Sequence, residues 1–284
     1  MTKSLLQEAL LFDWPPKGYD SRAEYALYSR VYDLIYGSRD EDLAFYRSYA
    51  ERFTGPFMEV GCGSGRLTTE LAALGRQVVA IDNSPDMIRL CEQRLGEGQN
   101  SNVSFFVKDI RQLDLEQKFD LIIAPFAMVA HLLSDEDRLD AFQNVFRHLS
   151  PEGTFVFDDA NRVGWEISKD SSKLEFKRIV IDPVTNDPVR MLSNYFRDSE
   201  RPIFVRYDFI DWLDGNRVKK RMVLRVTFRD SSPREQLNLL KCTGFHSVKV
   251  CGDWKLNPYN FKEPESNKRV IFVAQKQKMK TSTK

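Results

Sequence analysis

The sequence predicts an α/β fold in which a mainly parallel sheet is followed, after its fifth strand, by an inserted antiparallel β-sheet. Short apolar segments alternate with helical patterns up to about residue 160, which is typical of parallel sheets covered by helices. Four strand-like segments then follow one another up to residue 228, with turn residues between them. A helical pattern after Ser232 and two further apolar segments are expected to complete the first sheet.

Composition and charge limit the classes of protein to consider. The chain has 284 residues, of which 42% are hydrophobic, enough for one large domain with an insertion. A net charge of +1 without long runs of one sign gives no indication of nucleic-acid binding. The first residues lack a signal-peptide pattern and no long apolar segment follows, so we expect a cytoplasmic protein with no membrane partner. The four cysteines have no metal-ligand spacing, and no metal site is predicted.

A tyrosine-rich segment lies near the N-terminus. Its tyrosines recur at steps of three and four, which places them on one face of a helix; they are Tyr25, Tyr28, Tyr32 and Tyr36. Two interpretations stay open, a half-buried aromatic stripe or a lid whose phenol groups reach a ligand. A second amphipathic helix is predicted over residues 40–53.

A glycine-rich turn organises the predicted sheet. The segment from Glu59 reads Glu-Val-Gly-Cys-Gly-Ser-Gly-Arg, and it stands between an apolar strand and a helical pattern. Gly61, Gly63 and Gly65 allow a sharp turn in which the backbone lies against a ligand. The helix that follows directs its free N–H groups at the same place. We therefore predict a nucleotide-like ligand at the carboxyl end of the first strand.

Polar residues follow the next strands at the same edge. Asp82 ends the second strand at the spacing at which a carboxylate accepts hydrogen bonds from ribose hydroxyl groups, and Asn83 follows it. Met87 begins the next helix, where it either covers a ligand ring or fills the core. Asp109 follows the third strand, as a ligand contact or as a turn or cap residue. Pro125 follows the fourth strand.

Two of these segments resemble motifs I and II of the class I S-adenosylmethionine-dependent methyltransferases. They are the glycine-rich segment from Glu59 and Val-Val-Ala-Ile-Asp, which ends at Asp82. The resemblance implies a Rossmann-like seven-stranded sheet, S-adenosyl-L-methionine as cofactor and S-adenosyl-L-homocysteine as product. It also implies that Asp109 accepts a hydrogen bond from the adenine amino group and that Ile110 packs on the ring.

The segment from Tyr28 to Tyr36 carries a second resemblance. It reads Tyr-Ser-Arg-Val-Tyr-Asp-Leu-Ile-Tyr and is similar to the N-terminal segment of small-molecule methyltransferases, including the bacterial sugar N-methyltransferases and the methyltransferase domain 25 group. In those proteins it closes over the methyl donor. The cofactor-binding residues that we predict in all are Tyr28, Tyr32, Tyr36, Glu59, Gly61, Cys62, Gly63, Gly65, Asp82, Asn83, Met87, Asp109, Ile110 and Pro125.

His131 is the candidate catalytic residue. It follows the fourth strand, close to the expected position of the methyl group, where a general base is useful if the acceptor must lose a proton. A capping or packing histidine is the alternative interpretation. In the inserted sheet, the candidates for contact with the acceptor are Tyr195, Arg197, Arg206, Tyr207 and Trp212. Arg206 and Tyr207 cannot both point inward if they are neighbours on a regular strand.

We predict methyl transfer by in-line displacement to a nitrogen or oxygen of a small-molecule acceptor. An RNA or protein methyltransferase is disfavoured by the near-neutral charge, and a non-catalytic S-adenosylmethionine-binding module by the intact loop. An NAD-dependent oxidoreductase is disfavoured because Arg66 occupies the place of the third dinucleotide glycine.

The predicted organisation has four parts and either a monomeric or a homodimeric state. We expect an N-terminal helical lid, a cofactor-binding core, the inserted antiparallel sheet and a C-terminal completion of the core sheet. Their ranges are 1–55, 56–160, 161–230 and 231–284.

Overall fold

The computed structural model of the chain describes residues 22–96, 101–162, 174–198 and 201–276. The first part of the predicted lid, residues 1–21, therefore lies outside the described residues. Within these ranges the chain forms a seven-stranded sheet and a four-stranded sheet. In chain order the strands are β1 (Phe57–Val60), β2 (Val78–Asp82), β3 (Val103–Val107), β4 (Phe119–Ala124), β5 (Leu149–Asp159), β6 (Glu175–Ile181), β7 (Pro188–Arg197), β8 (Ile203–Asp214), β9 (Arg217–Arg229), β10 (Ser247–Cys251) and β11 (Val270–Gln275).

The seven-stranded sheet has the order β10-β11-β5-β4-β1-β2-β3. The strands from β5 to β3 are parallel to their neighbours, whereas β11 is antiparallel to both β5 and β10. The chain order reverses between β1 and β4, the position at which open α/β sheets bind ligands. The predicted Rossmann-like seven-stranded sheet, with an antiparallel sheet inserted after the fifth strand, is confirmed.

Helices cover both faces of this sheet, and their bounds follow local capping signals. Serine side chains at residues 84, 134 and 232 accept hydrogen bonds from backbone N–H groups of the helices that they precede. None of the helices within the described ranges has the length and hydrophobicity needed to cross a membrane. The helices are α1 (Arg22–Tyr28), α2 (Tyr32–Tyr36), α3 (Leu43–Ala50), α4 (Arg66–Ala72), α5 (Pro85–Leu95), α6 (Asp135–His148) and α7 (Pro233–Thr243).

The tyrosine-rich segment differs from the single helix that its spacing predicts. It forms α1 and α2 with a break at residues 29–31. The Ser29 hydroxyl donates to the Ala26 carbonyl, 2.9 Å away, and the Val31 N–H bonds to the carbonyl three residues earlier. Such local bonds compete with the regular helix.

The four-stranded sheet is a meander in the order β6-β7-β8-β9. Its buried face packs against α1, α2 and the start of α5, so that these helices and the inserted sheet share one hydrophobic cluster. The cluster also contains Ala130, from the short 3-10 helix Met128–His131 after β4. The inserted sheet is therefore joined to the carboxyl edge of the main sheet through the tyrosine-rich segment.

Candidate active site

A first cavity lies at the carboxyl ends of β1, β2 and β4. The structure brings nine of the predicted site residues to its wall, although they come from six separate segments of the chain. These nine are Tyr32, Gly61, Gly63, Asp82, Asn83, Asp109, Ile110, Pro125 and His131. The carboxyl edge of the sheet is therefore where most of the predicted residues meet.

The turn after β1 requires glycine for two separate reasons. Gly61 and Gly65 have φ of 70° and 84°, in the left-handed region that other residues rarely adopt. A Cβ on Gly61 would lie 2.5 Å from the Met128 side chain, and one on Gly65 would lie 2.7 Å from the Cys91 sulfur. The turn is thus packed from both sides, with the Gly61 backbone on the cavity wall.

Asp82 is held in place by backbone groups. Its Oδ2 accepts from the Gly63 N–H at 3.0 Å and its Oδ1 from the Ser84 N–H at 2.9 Å. Burial raises the pKa of this carboxyl to about 6, and the backbone donors act in the opposite direction. A carboxylate has about four acceptor positions, so capacity remains for the ribose hydroxyl groups of an adenosine. The residues present therefore fit the predicted cofactor.

Asp109 has both a position on the cavity wall and a capping contact. It lines the first cavity, and its side chain accepts from the Arg111 N–H at 2.9 Å at the start of the 3-10 helix Ile110–Gln112. The Arg111 guanidinium also donates to it, at 2.6–3.0 Å. Arg111 lines the same cavity, and nothing in its sequence surroundings singles it out.

Four predicted cofactor-binding residues line neither the first cavity nor the second cavity described below. Glu59 is buried behind the turn and accepts from the Thr68 hydroxyl at 2.6 Å, with its pKa raised to about 8 by burial. Cys62 is buried in the cluster formed with α5, and Gly65 forms the left-handed N-cap of α4. Met87 has no exposed surface, which corresponds to the core-filling interpretation.

A second cavity adjoins the first. Tyr25, Tyr32, Phe126 and His131 line both of them. Tyr28 and Tyr36, which the sequence assigns to the cofactor, line only the second cavity. The tyrosine-rich segment supplies one wall and the inserted sheet another, through Tyr195, Phe204, Arg206, Val226 and Phe228.

His131 lies where the two cavities meet. Its Nε2 is 2.8 Å from the Tyr25 Oη, and its ring packs against Phe228 with 4.8 Å between the centroids. Burial lowers its pKa to about 3, and the positive charges of Arg206 and Arg162 act in the same direction. The imidazole is therefore neutral near pH 7. Tyr25 was visible in the sequence only as a member of the tyrosine stripe.

A buried network ties the tyrosine-rich segment to the inserted sheet. Asp208, which has no exposed surface, accepts from the hydroxyl groups of Tyr28 and Ser193 and from Arg206 Nε. Arg206 Nη2 donates to the hydroxyl oxygens of Tyr28 and Tyr36, at 2.9 and 2.8 Å. The two tyrosines are thus fixed by a charged pair on β8. Tyr207, the neighbour of Arg206, is not on the cavity wall.

The comparisons with known proteins agree with this geometry. Residues 57–153 match a family model described as a methyltransferase domain. The matched part runs from β1 into β5 and includes the glycine turn. Over 112 residues the chain is 36% identical to nodulation protein S of Sinorhizobium fredii, covering 38% of this chain and 50% of that protein. The chain spans about half, or less, of the length of the curated relatives that it first matches.

Solved structures share the fold across most of the chain. The CcbJ methyltransferase from Streptomyces caelestis has a TM-score of 0.76 at 21% identity and covers 90% of this chain and 98% of its own. The amino pentose methyltransferase CalS10 from Micromonospora echinaspora, solved with S-adenosylmethionine bound, has a TM-score of 0.65 at 20% identity and covers 87% and 97%. Together with the domain match, these structures confirm the predicted resemblance to S-adenosylmethionine-dependent methyltransferases and the predicted cofactor.

Proposed function

We propose that the protein transfers a methyl group from S-adenosylmethionine to a nitrogen or oxygen atom of a small-molecule acceptor. The first cavity takes the cofactor and the second cavity takes the acceptor. One observation supports this division above the others: the two cavities share four wall residues, with His131 and Tyr25 among them. Two molecules bound there would meet at that junction.

The first cavity is proposed to hold the cofactor mainly through the glycine turn and two carboxylates. Asp82 accepts from the ribose hydroxyl groups, and the Gly61 backbone provides a surface without a side chain. Asp109 and Ile110 lie at the adenine end. When bound, S-adenosylmethionine supplies an electrophilic methyl group on a sulfonium. The remaining task of the chain is to hold the acceptor atom in line with that group and to keep water out.

The second cavity supports a small acceptor rather than a macromolecule. Its volume is about 250 Å³, and its wall comes from the tyrosine-rich segment, the end of β4 and the inserted sheet. Aromatic rings form much of this wall, as is usual in small-molecule sites. CalS10, which shares the fold, is an amino pentose methyltransferase. A polyhydroxylated amine of similar size is therefore the first class of acceptor to test.

His131 is proposed to act at the acceptor atom. Because its pKa is lowered to about 3, it is a weak base, so its proposed role is to accept a hydrogen bond from the acceptor group and orient it rather than to take up a proton. Its Tyr25 contact orients the ring. We expect His131→Gln to lower the turnover number while leaving the dissociation constant of S-adenosylhomocysteine within twofold of wild type. Unchanged turnover in a folded variant would remove His131 from the reaction.

Calorimetric titration tests the proposal. The purified protein is titrated with S-adenosylmethionine, S-adenosylhomocysteine and NAD, and then screened for methyl transfer to amino sugars, amines and small hydroxylated compounds. We expect binding of both sulfur ligands, no binding of NAD, and methylation of at least one compound. Failure to bind either sulfur ligand would refute the cofactor assignment.

A further inference from the structure

The wall of the second cavity is positively charged. Four arginines line it, together with His131, and no aspartate or glutamate is among its lining residues in the part of the chain that the structure describes. The arginines come from the segment after α2, the segment just after β5, β8 itself and the residue just before β11. They are Arg39, Arg162, Arg206 and Arg269.

The carboxylates that neutralise three of these arginines lie behind the wall. Asp208 pairs with Arg206, and Asp158 accepts from Arg269 at 3.0 and 2.5 Å. Asp159 lies 2.8 Å from Arg162 Nη1. All three carboxylates are at most 1% exposed, and none lines the cavity. A molecule in the cavity therefore meets guanidinium groups and not the acids that hold them.

Arg162 has hydrogen-bonding capacity that the described chain leaves unused. Its side chain is only 7% exposed, yet its Nε has no hydrogen-bond partner among the described residues. The guanidinium lies over the rings of Phe204 and Phe228, at 5.0 and 6.0 Å, and these rings accept no conventional hydrogen bond. A buried donor without an acceptor is destabilising, and an acceptor group on a bound molecule would offset that cost.

Arg39 is the most accessible of the four. Its side chain is 32% exposed, its guanidinium lies 4.9 Å from the centre of the Phe126 ring, and Glu41 is 3.7 Å away, beyond the range of a strong charged hydrogen bond. Phe126 lines both cavities. Arg39 is therefore placed to meet a group that enters close to the junction.

We infer that the acceptor carries an oxyanion, a carboxylate or a phosphate, which Arg162 binds in the second cavity together with Arg39. The inference rests on the proposed function, because it defines the acceptor class for that same site. The planar guanidinium fork matches both carboxylate and phosphate oxygens. Burial lowers the pKa of His131, and Arg206 and Arg162 lower it further through the positive potential that they place at the junction.

Titration with simple anions tests this inference. Inorganic phosphate and malonate are titrated by calorimetry into the protein saturated with S-adenosylhomocysteine, and separately into the protein alone. We expect at least one anion to bind the wild type, and Arg162→Gln to weaken that binding at least tenfold. Arg162→Lys keeps the charge but loses the fork and should give an intermediate loss. Arg89→Gln is the matched control, since Arg89 is exposed on α5 and pairs with Asp86.

The outcomes separate this inference from the proposed function. If neither anion binds the wild type, or if Arg162→Gln binds anions as tightly as the wild type, the inference is overturned while the cofactor assignment stands. If Arg162→Gln instead weakens the binding of S-adenosylhomocysteine, the arginine serves the carboxylate of the cofactor, and the inference is again overturned.

Arg39→Gln, at a partly exposed position, gives the same test if Arg162→Gln does not fold. Loss of anion binding in that variant supports the inference, and unchanged binding opposes it.

Discussion

The two cavities differ in how their polar groups are positioned. In the first, the Asp82 carboxylate is fixed by backbone N–H groups of its own turn and of the neighbouring glycine turn. In the second, Arg206 and Asp208 are fixed by side chains, and their tyrosine partners lie at least 170 positions away in the chain. The first arrangement comes from local turns at a sheet edge, whereas the second exists only when two distant parts of the chain are folded together. Substitutions should therefore affect the two regions in different ways.

The largest effect is expected from Arg206→Gln. This change leaves Asp208 buried without its cation and removes a donor from two tyrosine hydroxyl groups, which should lower the free energy of unfolding by about 3–5 kcal/mol. Urea denaturation measures the loss. The double variant Arg206→Gln with Asp208→Asn should recover much of it, because no uncompensated charge remains. A loss below about 1 kcal/mol in the single variant would show that the network contributes little to stability.

Asp82→Ala should affect binding rather than stability. Ligand hydroxyl groups would lose their acceptor, so the affinity for S-adenosylhomocysteine should fall by about 1–3 kcal/mol, as measured by calorimetry. The free energy of unfolding should change much less than in Arg206→Gln, because removal of this buried carboxylate also removes its desolvation. Asp86→Ala, on the adjacent helix, is the matched control and should bind normally. An unchanged dissociation constant in Asp82→Ala would reject the ribose assignment.

Acidification should weaken cofactor binding through the same carboxyl group. With a pKa of about 6 in the free protein, Asp82 is ionised at pH 7 and mostly protonated at pH 5. Because the ligand hydroxyl groups need the ionised form, we expect the dissociation constant of S-adenosylhomocysteine to rise about tenfold between these pH values. Asp82→Asn should bind more weakly at pH 7 but lack this dependence. A wild-type dissociation constant that stays flat from pH 7 to pH 5 would contradict the assignment.

The smallest effect is expected from Glu59→Gln. Burial raises the pKa of Glu59 to about 8, so the group is largely protonated at neutral pH and glutamine closely imitates it. We expect the free energy of unfolding at about pH 4, where the carboxyl group is largely protonated in the unfolded chain as well, to change by less than about 1 kcal/mol. Since the folded pKa lies above the unfolded value of 4.5, the contribution of this group is complete below pH 4.5 and is lost as the pH rises through 8.

Denaturation at several pH values tests the Glu59 prediction. The wild type should lose more stability than Glu59→Gln between pH 6 and pH 9, because only the wild type must ionise a buried carboxyl group. Parallel pH profiles for the two proteins would show that Glu59 is ionised in the folded state already at pH 6.

The sequence predicted the first region well because its signals are local. The glycines, the carboxylate at the end of β2 and the serine caps each act within a few residues of their own position. Once the strands are parallel and in order, their carboxyl ends must share one edge. Met87 illustrates the limit of this reasoning, because one position in a helix does not decide between a ligand contact and a core contact.

The second region could be predicted only in outline. The tyrosine stripe was visible, but the break between α1 and α2 and the Tyr25 contact with His131 depend on tertiary packing. Arg162 and Arg269 reach one wall because β5 and β11 are antiparallel neighbours. No pattern in the sequence predicts such a pairing between residues more than 100 positions apart. The inserted sheet was predicted from its successive strand-like segments and turn residues, and Arg206 was predicted as a candidate for contact with the acceptor. The buried Asp208 that pairs with Arg206 was not predicted.

The bond between Tyr28 and Asp208 spans 180 positions and has a consequence for synthesis. On the ribosome, the tyrosine-rich segment emerges long before β8 has been translated. During that interval its phenol groups have no access to the carboxylate and guanidinium that later hold them. The segment therefore reaches its final position only after β8 has been made, and a nascent chain that stalls before β8 would display its aromatic face to chaperones.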